Sequence, residues 1–249
     1  MMLKGKIAVV YGAGGAIGGA VARAFAAEGA QVFATGRTKI AGLDQAAVVD
    51  ALDEKAIEKH LRSVIDKAGR IDISFNAIGI ADRKIIGIPL MELDADTFTL
   101  PITDYAKSYF LTARAAARHM VPNKSGVIMT VSALPSRTGT TLNGGYGPAM
   151  AAKEALTRDL SVELAPHGIR VLSLRPHGIP ETHTMKSLHR LKAAKLTFDQ
   201  FEGYIAGMSH SKRVMTLDEV ANVAAFVASD KASGLLGITV NMTMGNLSD

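Results

Sequence analysis

Short apolar runs alternate with amphipathic segments along the whole chain. The apolar runs are rich in Val, Ile and Ala, which is typical of strands buried on both faces, and they cover residues 6–11, 31–35, 46–49, 71–75, 126–131, 170–174 and 237–240. Between them, apolar residues recur at helical spacing over about 17–28, 54–68, 101–120, 148–165 and 217–229. This alternation predicts an α/β fold with about seven parallel strands and helices on both faces of the sheet.

The first strand leads through a glycine-rich turn directly into the first amphipathic helix. The turn contains Gly12, Gly14, Gly15 and Gly18, and Ile17 begins the apolar face of the helix. Glycine lets the backbone turn tightly and lets a pyrophosphate approach, and the helix N-terminus offers free N–H groups and a positive dipole end. The pattern predicts a dinucleotide-binding site; a plain glycine turn is the alternative.

The residues that follow the second and third strands refine this prediction. A site that prefers NAD usually has an acidic residue after the second strand, whereas this chain has Arg37, with Lys39 close by. Because a guanidinium group suits the 2′-phosphate of NADP(H), we expect NADP(H) as the cofactor, with an ordinary surface arginine as the alternative. Asp50 ends the third strand and is either an acceptor for the adenine amino group or a plain loop carboxylate.

The length and composition limit the number of domains and the kinds of partner. The 249 residues suit one domain spanning residues 1–249, within which the irregular stretch 180–212 is interpreted as a substrate lid or as a surface excursion. No cysteine is present, which excludes disulfides and fits the reducing cytosol, so we expect a cytoplasmic protein. No apolar segment approaches the roughly 18 residues of a membrane span, and the early first strand leaves no room for a signal peptide.

Nucleic acid and metal ions are poor candidates for the partner of this chain. The net charge is +5 and aromatic residues make up 5%, but no basic run has interleaved aromatics, which argues against nucleic acid. The scattered positions of His183, His189 and His210 predict no metal site. A small-molecule substrate is therefore the expected partner.

Over essentially its whole length the chain resembles the short-chain dehydrogenase/reductase family. The glycine turn is similar to that family's Thr-Gly-x-x-x-Gly-Ile-Gly motif, with Tyr11 in place of the threonine and Ala16 in place of the middle glycine. Asn76 and Ala77 resemble the family's Asn-Asn-Ala-Gly segment. The resemblance implies a Rossmann-type doubly wound sheet, a nicotinamide cofactor, and a backbone contact to the nicotinamide near Ile179, after the sixth strand.

The catalytic pattern departs from the family's Ser, Tyr-x-x-x-Lys and helper Asn. Lys153 matches the lysine, but Ala149 stands where the tyrosine belongs. Tyr146 lies seven residues before Lys153, a spacing that resembles the bacterial enoyl-acyl-carrier-protein reductases, and seven residues are nearly two turns, so the pair would share one helix face. We expect Tyr146 to donate a proton, Lys153 to hold the ribose and support the oxyanion, and Ser132 to orient the substrate or cap the strand end.

Other interpretations of these residues remain open. Tyr146 could be a loop tyrosine that packs over the site, and Lys153 a solvated helix lysine. Tyr105, at the helper asparagine position, is an alternative proton donor or ordinary packing. His177 could bind substrate or act as an acid, although a loop histidine usually does neither.

These residues together predict an oxidoreductase that transfers hydride between NADP(H) and a carbonyl or enoyl substrate. The alternative is a catalytically degenerate nucleotide-binding sensor or assembly subunit, which Ala149 supports. The family resemblance implies a homo-oligomer, either a tetramer or a dimer. The alanine-rich stretch of Ala113 and residues 115–117 could permit close helix approach between copies or could pack within the chain.

Overall fold

A seven-stranded sheet forms the centre of the computed structural model, which describes residues 1–43, 45–80 and 85–248. The strands are β1 (Ile7–Tyr11), β2 (Gln31–Gly36), β3 (Ala46–Val48), β4 (Ile73–Asn76), β5 (Gly126–Val131), β6 (Ile169–Pro176) and β7 (Thr239–Met242). Their order is β3-β2-β1-β4-β5-β6-β7, and every neighbouring pair is parallel. The predicted fold class is confirmed.

Among the described residues, seven α-helices connect or follow the strands. They are α1 (Ala16–Ala27), α2 (Glu54–Ala68), α3 (Ala95–Met120), α4 (Tyr146–Leu164), α5 (His183–Lys192), α6 (Phe198–Met208) and α7 (Leu217–Ala228). On one face of the sheet, α1 and α7 bury Phe25 and Val220 against Val10. On the other face, α2 and α3 bury Leu61 and Tyr109 against Val9. Neighbouring strand residues thus face opposite cores, which explains why β1 is apolar along its length and the other central strands are mostly so.

Several element boundaries differ from the predicted ones. The third helix begins at Ala95 rather than at residue 101, because the Asp94 carboxylate accepts the Thr97 N–H at 2.8 Å and caps the helix, which then continues through Pro101. The fourth helix begins at Tyr146 rather than at residue 148. The seventh strand begins after Gly237, whose φ of +68° is incompatible with a strand.

The segment 180–212 is more regular than its sequence suggests. It contains α5 and α6, which pack on each other through Met185, Phe201 and Ile205. Thr182 caps α5, and Thr197 with Gln200 forms a capping box on α6, so both helices have clear start signals. No helix among the described residues is both long and apolar enough to cross a membrane.

The alanines of α3 pack within the chain. Ala113 and Ala116 are fully buried, and Ala115 and Ala117 are 6% and 7% exposed. They belong to the core that also holds Tyr109. These alanines therefore give no surface for a second copy, and the internal-packing interpretation is the one that the structure supports.

The strand order reverses between β1 and β4. From β1, the chain first builds outward to β2 and β3, and then returns to add β4 to β7 on the other side. At the carboxyl edge, Tyr11 is in register with both Thr35 and Asn76. In open parallel sheets, ligands bind in the crevice at this point.

Candidate active site

The turn after β1 is built so that glycine is required at two positions. Gly12 has a φ of +78°, and a Cβ there would lie 2.5 Å from the Ala77 carbonyl oxygen. A Cβ on Gly18 would overlap the Gly12 carbonyl oxygen. Gly14 and Gly15 are exposed, and no side chain caps the start of α1 at Gly15. The turn therefore leaves the helix N-terminus open to an anionic group, and it fits a dinucleotide pyrophosphate.

Asn76 and Ala77 fix the neighbouring loop. The Asn76 amide donates to Thr112 Oγ1 at 3.0 Å, and its oxygen accepts the Ile78 N–H at 3.4 Å. The Ala77 N–H donates to the Tyr11 carbonyl at 2.9 Å. Both of these Asn76 side-chain hydrogen bonds are to other residues of the chain, so Asn76 shapes the loop that borders the glycine turn.

Arg37 and Asp50 follow neighbouring strands at the same sheet edge. Arg37 is exposed immediately after β2, and the structure records no ion pair or hydrogen bond for its guanidinium group among the described residues. Asp50 is also exposed, and its Oδ1 accepts the Leu52 N–H at 3.0 Å. The hydrogen bond from Leu52 occupies one carboxylate oxygen of Asp50. The Arg37 side chain is available to a ligand.

Lys153 lies on α4 and is fully buried, so the interpretation as a solvated lysine is wrong. Its Nζ donates to the Val131 carbonyl at 2.7 Å and lies 5.6 Å from the ring centroid of Tyr105 and 6.0 Å from that of Tyr109. Burial lowers the pKa of the Lys153 ammonium to about 7. At neutral pH the side chain is thus close to the midpoint of its titration.

Tyr146 is the first residue of α4 and is half-buried. Its ring meets the Tyr105 ring edge-on, with the two centroids 5.8 Å apart. Tyr105 is buried, and its hydroxyl accepts the Ile80 N–H at 3.2 Å. Ala149 is fully buried in the same cluster, which also includes Ala133. No hydroxyl can come from position 149, so the phenols of this cluster are those of Tyr105 and Tyr146.

Ser132 is held by a buried ion pair that the sequence did not reveal. Its hydroxyl donates to Glu154 Oε1 at 2.7 Å, and Ser136 donates to the same oxygen at 2.6 Å. Arg175 binds both oxygens of Glu154, with Nε at 2.9 Å and Nη2 at 2.7 Å. Burial tends to raise the pKa of Glu154, but the hydrogen bonds from Arg175, Ser136 and Ser132 hold it below its usual value. The network fixes the loop after β5.

One cavity of 230 Å³ joins these elements. Ile17 and Ile179 line it from the glycine-turn side, and Ser132 and Tyr146 line it from the β5–α4 side. Segment 180–212 contributes Met185, Leu188, Ile205 and Met208, and with Ile86 and Leu134 these residues make most of the remaining wall hydrophobic. The cavity can hold an apolar molecule next to the Tyr146 side chain.

Two buried polar side chains also line this cavity. His177 is 3% exposed and Asn143 is 6% exposed. Among the described residues, both ring nitrogens of His177 and the Oδ1 atom of Asn143 lack a hydrogen-bond partner. Burial lowers the pKa of His177 and so favours the neutral ring, while the nearby Gly178 backbone opposes this shift. Sequence reasoning named His177 only as an unfavoured candidate and missed Asn143, since an orphaned buried atom has no sequence signal.

The histidines of segment 180–212 are not grouped with other metal-ligating side chains in the described parts of the chain. No group of three or more His, Asp or Glu side chains there is placed to hold a metal ion. His189 instead packs against the Phe198 and Phe201 rings, and its Nε2 lies 2.8 Å from the Leu196 carbonyl.

Comparison with known proteins covers almost the entire chain. A family model described as enoyl-(acyl carrier protein) reductase matches residues 12–246. The chain is 30% identical to the 3-oxoacyl-[acyl-carrier-protein] reductase FabG of Escherichia coli, with 98% of each chain covered. It is 26% identical to (+)-borneol dehydrogenase 2 of Salvia officinalis, with 98% of this chain and 90% of that protein covered. The structure of an NAD⁺-bound xylitol dehydrogenase shares the fold, with a TM-score of 0.90 at 24% identity over 98% of this chain and 100% of the other.

Proposed function

Because this chain belongs to the short-chain dehydrogenase/reductase family, we propose that it is an NADP(H)-dependent oxidoreductase that transfers hydride between nicotinamide and a carbonyl or enoyl substrate. The observation that carries the proposal is the shared cavity. Ile17 and Ile179, on the cofactor side, and Tyr146 and Ser132, on the substrate side, line the same space. Hydride transfer needs cofactor and substrate in contact, and this cavity brings their binding sides together.

The glycine turn and the strand ends would hold the cofactor. Gly12, Gly14, Gly15 and Gly18 would bind the pyrophosphate at the open start of α1. Asn76 and Ala77 shape the next loop, Asp50 would accept from the adenine amino group, and the backbone at Ile179 would contact the nicotinamide. The preference for NADP(H) rests on Arg37 alone, which would pair with the 2′-phosphate.

The bound cofactor supplies the hydride, and the chain's residues manage the proton and the charge. Tyr146 donates its phenolic proton to the substrate oxygen, which becomes an alcohol after carbonyl reduction or an enol after enoyl reduction. Lys153 uses one N–H on the Val131 carbonyl, which leaves two N–H donors of the ammonium for the ribose hydroxyls. Its positive charge favours the developing oxyanion.

The lid and the assembly are also part of the proposal. We propose that residues 180–212 act as the substrate lid, since α5 and α6 line the cavity through Met185 and Ile205. We further propose a cytoplasmic homo-oligomer, either a tetramer or a dimer. Phe110 of α3 and Val162 of α4 are 39% and 78% exposed, and they offer an apolar surface for a second copy.

A nucleotide-binding sensor or assembly subunit is the second candidate, and the buried Ala149 favours it. The test is to titrate the protein with NADPH and then follow NADPH oxidation with a panel of ketones and enoyl thioesters. We expect saturable NADPH binding and oxidation with at least one class. Saturable binding without oxidation across the panel would contradict the enzyme and favour the sensor.

A further inference from the structure

We propose that His177 and Asn143 form a second anchoring point in the cavity, which binds a hydroxyl group of the substrate. The substrate class is an uncharged hydroxy ketone on an apolar frame, or the corresponding diol in the oxidation direction. This inference rests on the proposed function, because it concerns the same cavity and assumes that a carbonyl is the reacting group. It adds a recognition element that the reaction itself does not require.

His177 offers both a donor and an acceptor. Its burial favours the neutral ring, in which one nitrogen carries a proton and the other accepts. Its backbone N–H donates to the Met242 carbonyl at 3.1 Å, which fixes the residue at the end of β6 beside β7. A hydroxyl group both donates and accepts, and therefore matches a neutral imidazole better than a carbonyl or an ether does.

Asn143 adds an acceptor on the same wall as the proposed proton donor. Its Oδ1 is buried without a partner among the described residues. Its backbone carbonyl accepts the Tyr146 N–H at 3.1 Å, so the amide is tied to the start of α4. The following Gly144 has a φ of +50°, and a Cβ there would lie 2.8 Å from the Ile85 carbonyl oxygen, so the loop packs closely against residue 85. The Asn143 oxygen thus lies on a closely packed loop and calls for a donor.

The rest of the lining explains why the substrate should be uncharged. None of the described residues that line the cavity is a Lys, Arg, Asp or Glu. Among the described lining residues a phosphate or carboxylate group would find no cation, and burying an unpaired charge is costly. The orphaned atoms of His177 and Asn143 carry a desolvation penalty of their own, and a substrate hydroxyl relieves it. A ketone without a hydroxyl leaves it in place.

The test compares cyclohexanone with its 2-, 3- and 4-hydroxy derivatives as substrates of the full-length protein with NADPH. We expect kcat/KM for at least one hydroxy ketone to exceed that for cyclohexanone about tenfold or more. We expect His177→Phe and Asn143→Leu each to remove most of that ratio. His167→Phe, at an exposed histidine in the turn after α4, is the matched control and should keep it.

His177→Gln is a second variant that guards against misfolding. Glutamine keeps a donor and an acceptor, so we expect part of the preference to remain, whereas phenylalanine removes it. Equal kcat/KM values for all four ketones, or a ratio that survives in both His177→Phe and Asn143→Leu, would overturn the anchoring point and leave the proposed function intact.

The absence of NADPH oxidation with every ketone would count against carbonyl reduction in the proposed function, and binding then decides the inference separately. Calorimetric titration of the NADPH-bound protein with the hydroxy ketones should show binding that His177→Phe and Asn143→Leu weaken. If no hydroxy ketone binds to the wild-type protein, the anchoring point is wrong.

Discussion

The buried ammonium group of Lys153 makes the stability of the protein depend on pH. Burial lowers the pKa of Lys153 from 10.5 to about 7 in the folded state. The unfolded chain exposes this side chain, so between pH 7 and pH 10.5 the unfolded state binds more protons than the folded state. The free energy of unfolding therefore rises with pH across this window, and below pH 7 the cost of burying the charge is fully present.

The size of the effect follows from the pKa shift. Each pH unit inside the window adds up to about 1.4 kcal/mol to the free energy of unfolding. Because the folded Lys153 is half deprotonated near pH 7, the gain from pH 7 to pH 9 is about 2 kcal/mol. The Tyr105 and Tyr109 rings oppose the shift, but a cation–π contact is worth about 0.5–2 kcal/mol, whereas burying an ion costs several. Desolvation therefore determines that the pKa of Lys153 is lowered rather than raised.

The assay is urea unfolding of the wild-type protein and Lys153→Met at pH 7 and pH 9. We expect the stability of the variant relative to the wild type to fall by about 2 kcal/mol between the two pH values, because methionine does not titrate. Lys59→Met, at an exposed position on α2, should show no such change. If the free energies of unfolding of Lys153→Met and the wild type differed by the same amount at both pH values, Lys153 would not have the lowered pKa.

Three further substitutions test the cofactor site and the buried ion pair. Arg37→Asp should turn a preference for NADPH into one for NADH, measured as dissociation constants; a preference for NADH in the wild type would contradict the role of Arg37. Gly18→Ala should lower the free energy of unfolding in urea by more than about 1 kcal/mol, because its Cβ overlaps the Gly12 carbonyl, while Gly14→Ala, with its nearest neighbour 3.8 Å away, should not. Glu154→Ala should cost about 3–5 kcal/mol in the same assay because it removes the carboxylate that two nitrogens of the buried Arg175 bind, and the double variant Glu154→Leu/Arg175→Met should recover most of it; a single-variant cost below about 1 kcal/mol would be incompatible with this ion pair.

Much of the fold could be predicted from the sequence because the signals are local. The apolar runs become the seven strands, of which β1, β4 and β5 are buried throughout, and the glycine turn lies where β1 meets α1. Asp53 precedes α2 and caps it through the Lys55 and Ala56 N–H groups, as an Asp at that position suggests. The start of α3 was misplaced because Pro101 resembles a first-turn proline, whereas Asp94 is the residue that caps the helix.

The site was harder to predict because its key features depend on long-range contacts. Glu154 and Arg175 pair across 21 residues, and each lies in a segment that gives no sign of the other. The burial of Lys153 follows from how α4 packs against α3 and β6 and brings Nζ to the Val131 carbonyl of β5, not from its neighbours in the sequence. The orphaned atoms of His177 and Asn143 emerge only when the cavity between β6 and α4 is formed.

The hydroxyl of Tyr146 is the group on which the proposed chemistry depends most directly. The decisive measurement is the rate of NADPH oxidation, with the best substrate of the panel, by the wild type, Tyr146→Phe and Tyr105→Phe. We expect a loss of about 100-fold or more in kcat for Tyr146→Phe, with NADPH still bound. We expect a far smaller loss for Tyr105→Phe, since that hydroxyl accepts the Ile80 N–H. Full activity in Tyr146→Phe, or a comparable loss in Tyr105→Phe alone, would show that Tyr146 is not the proton donor.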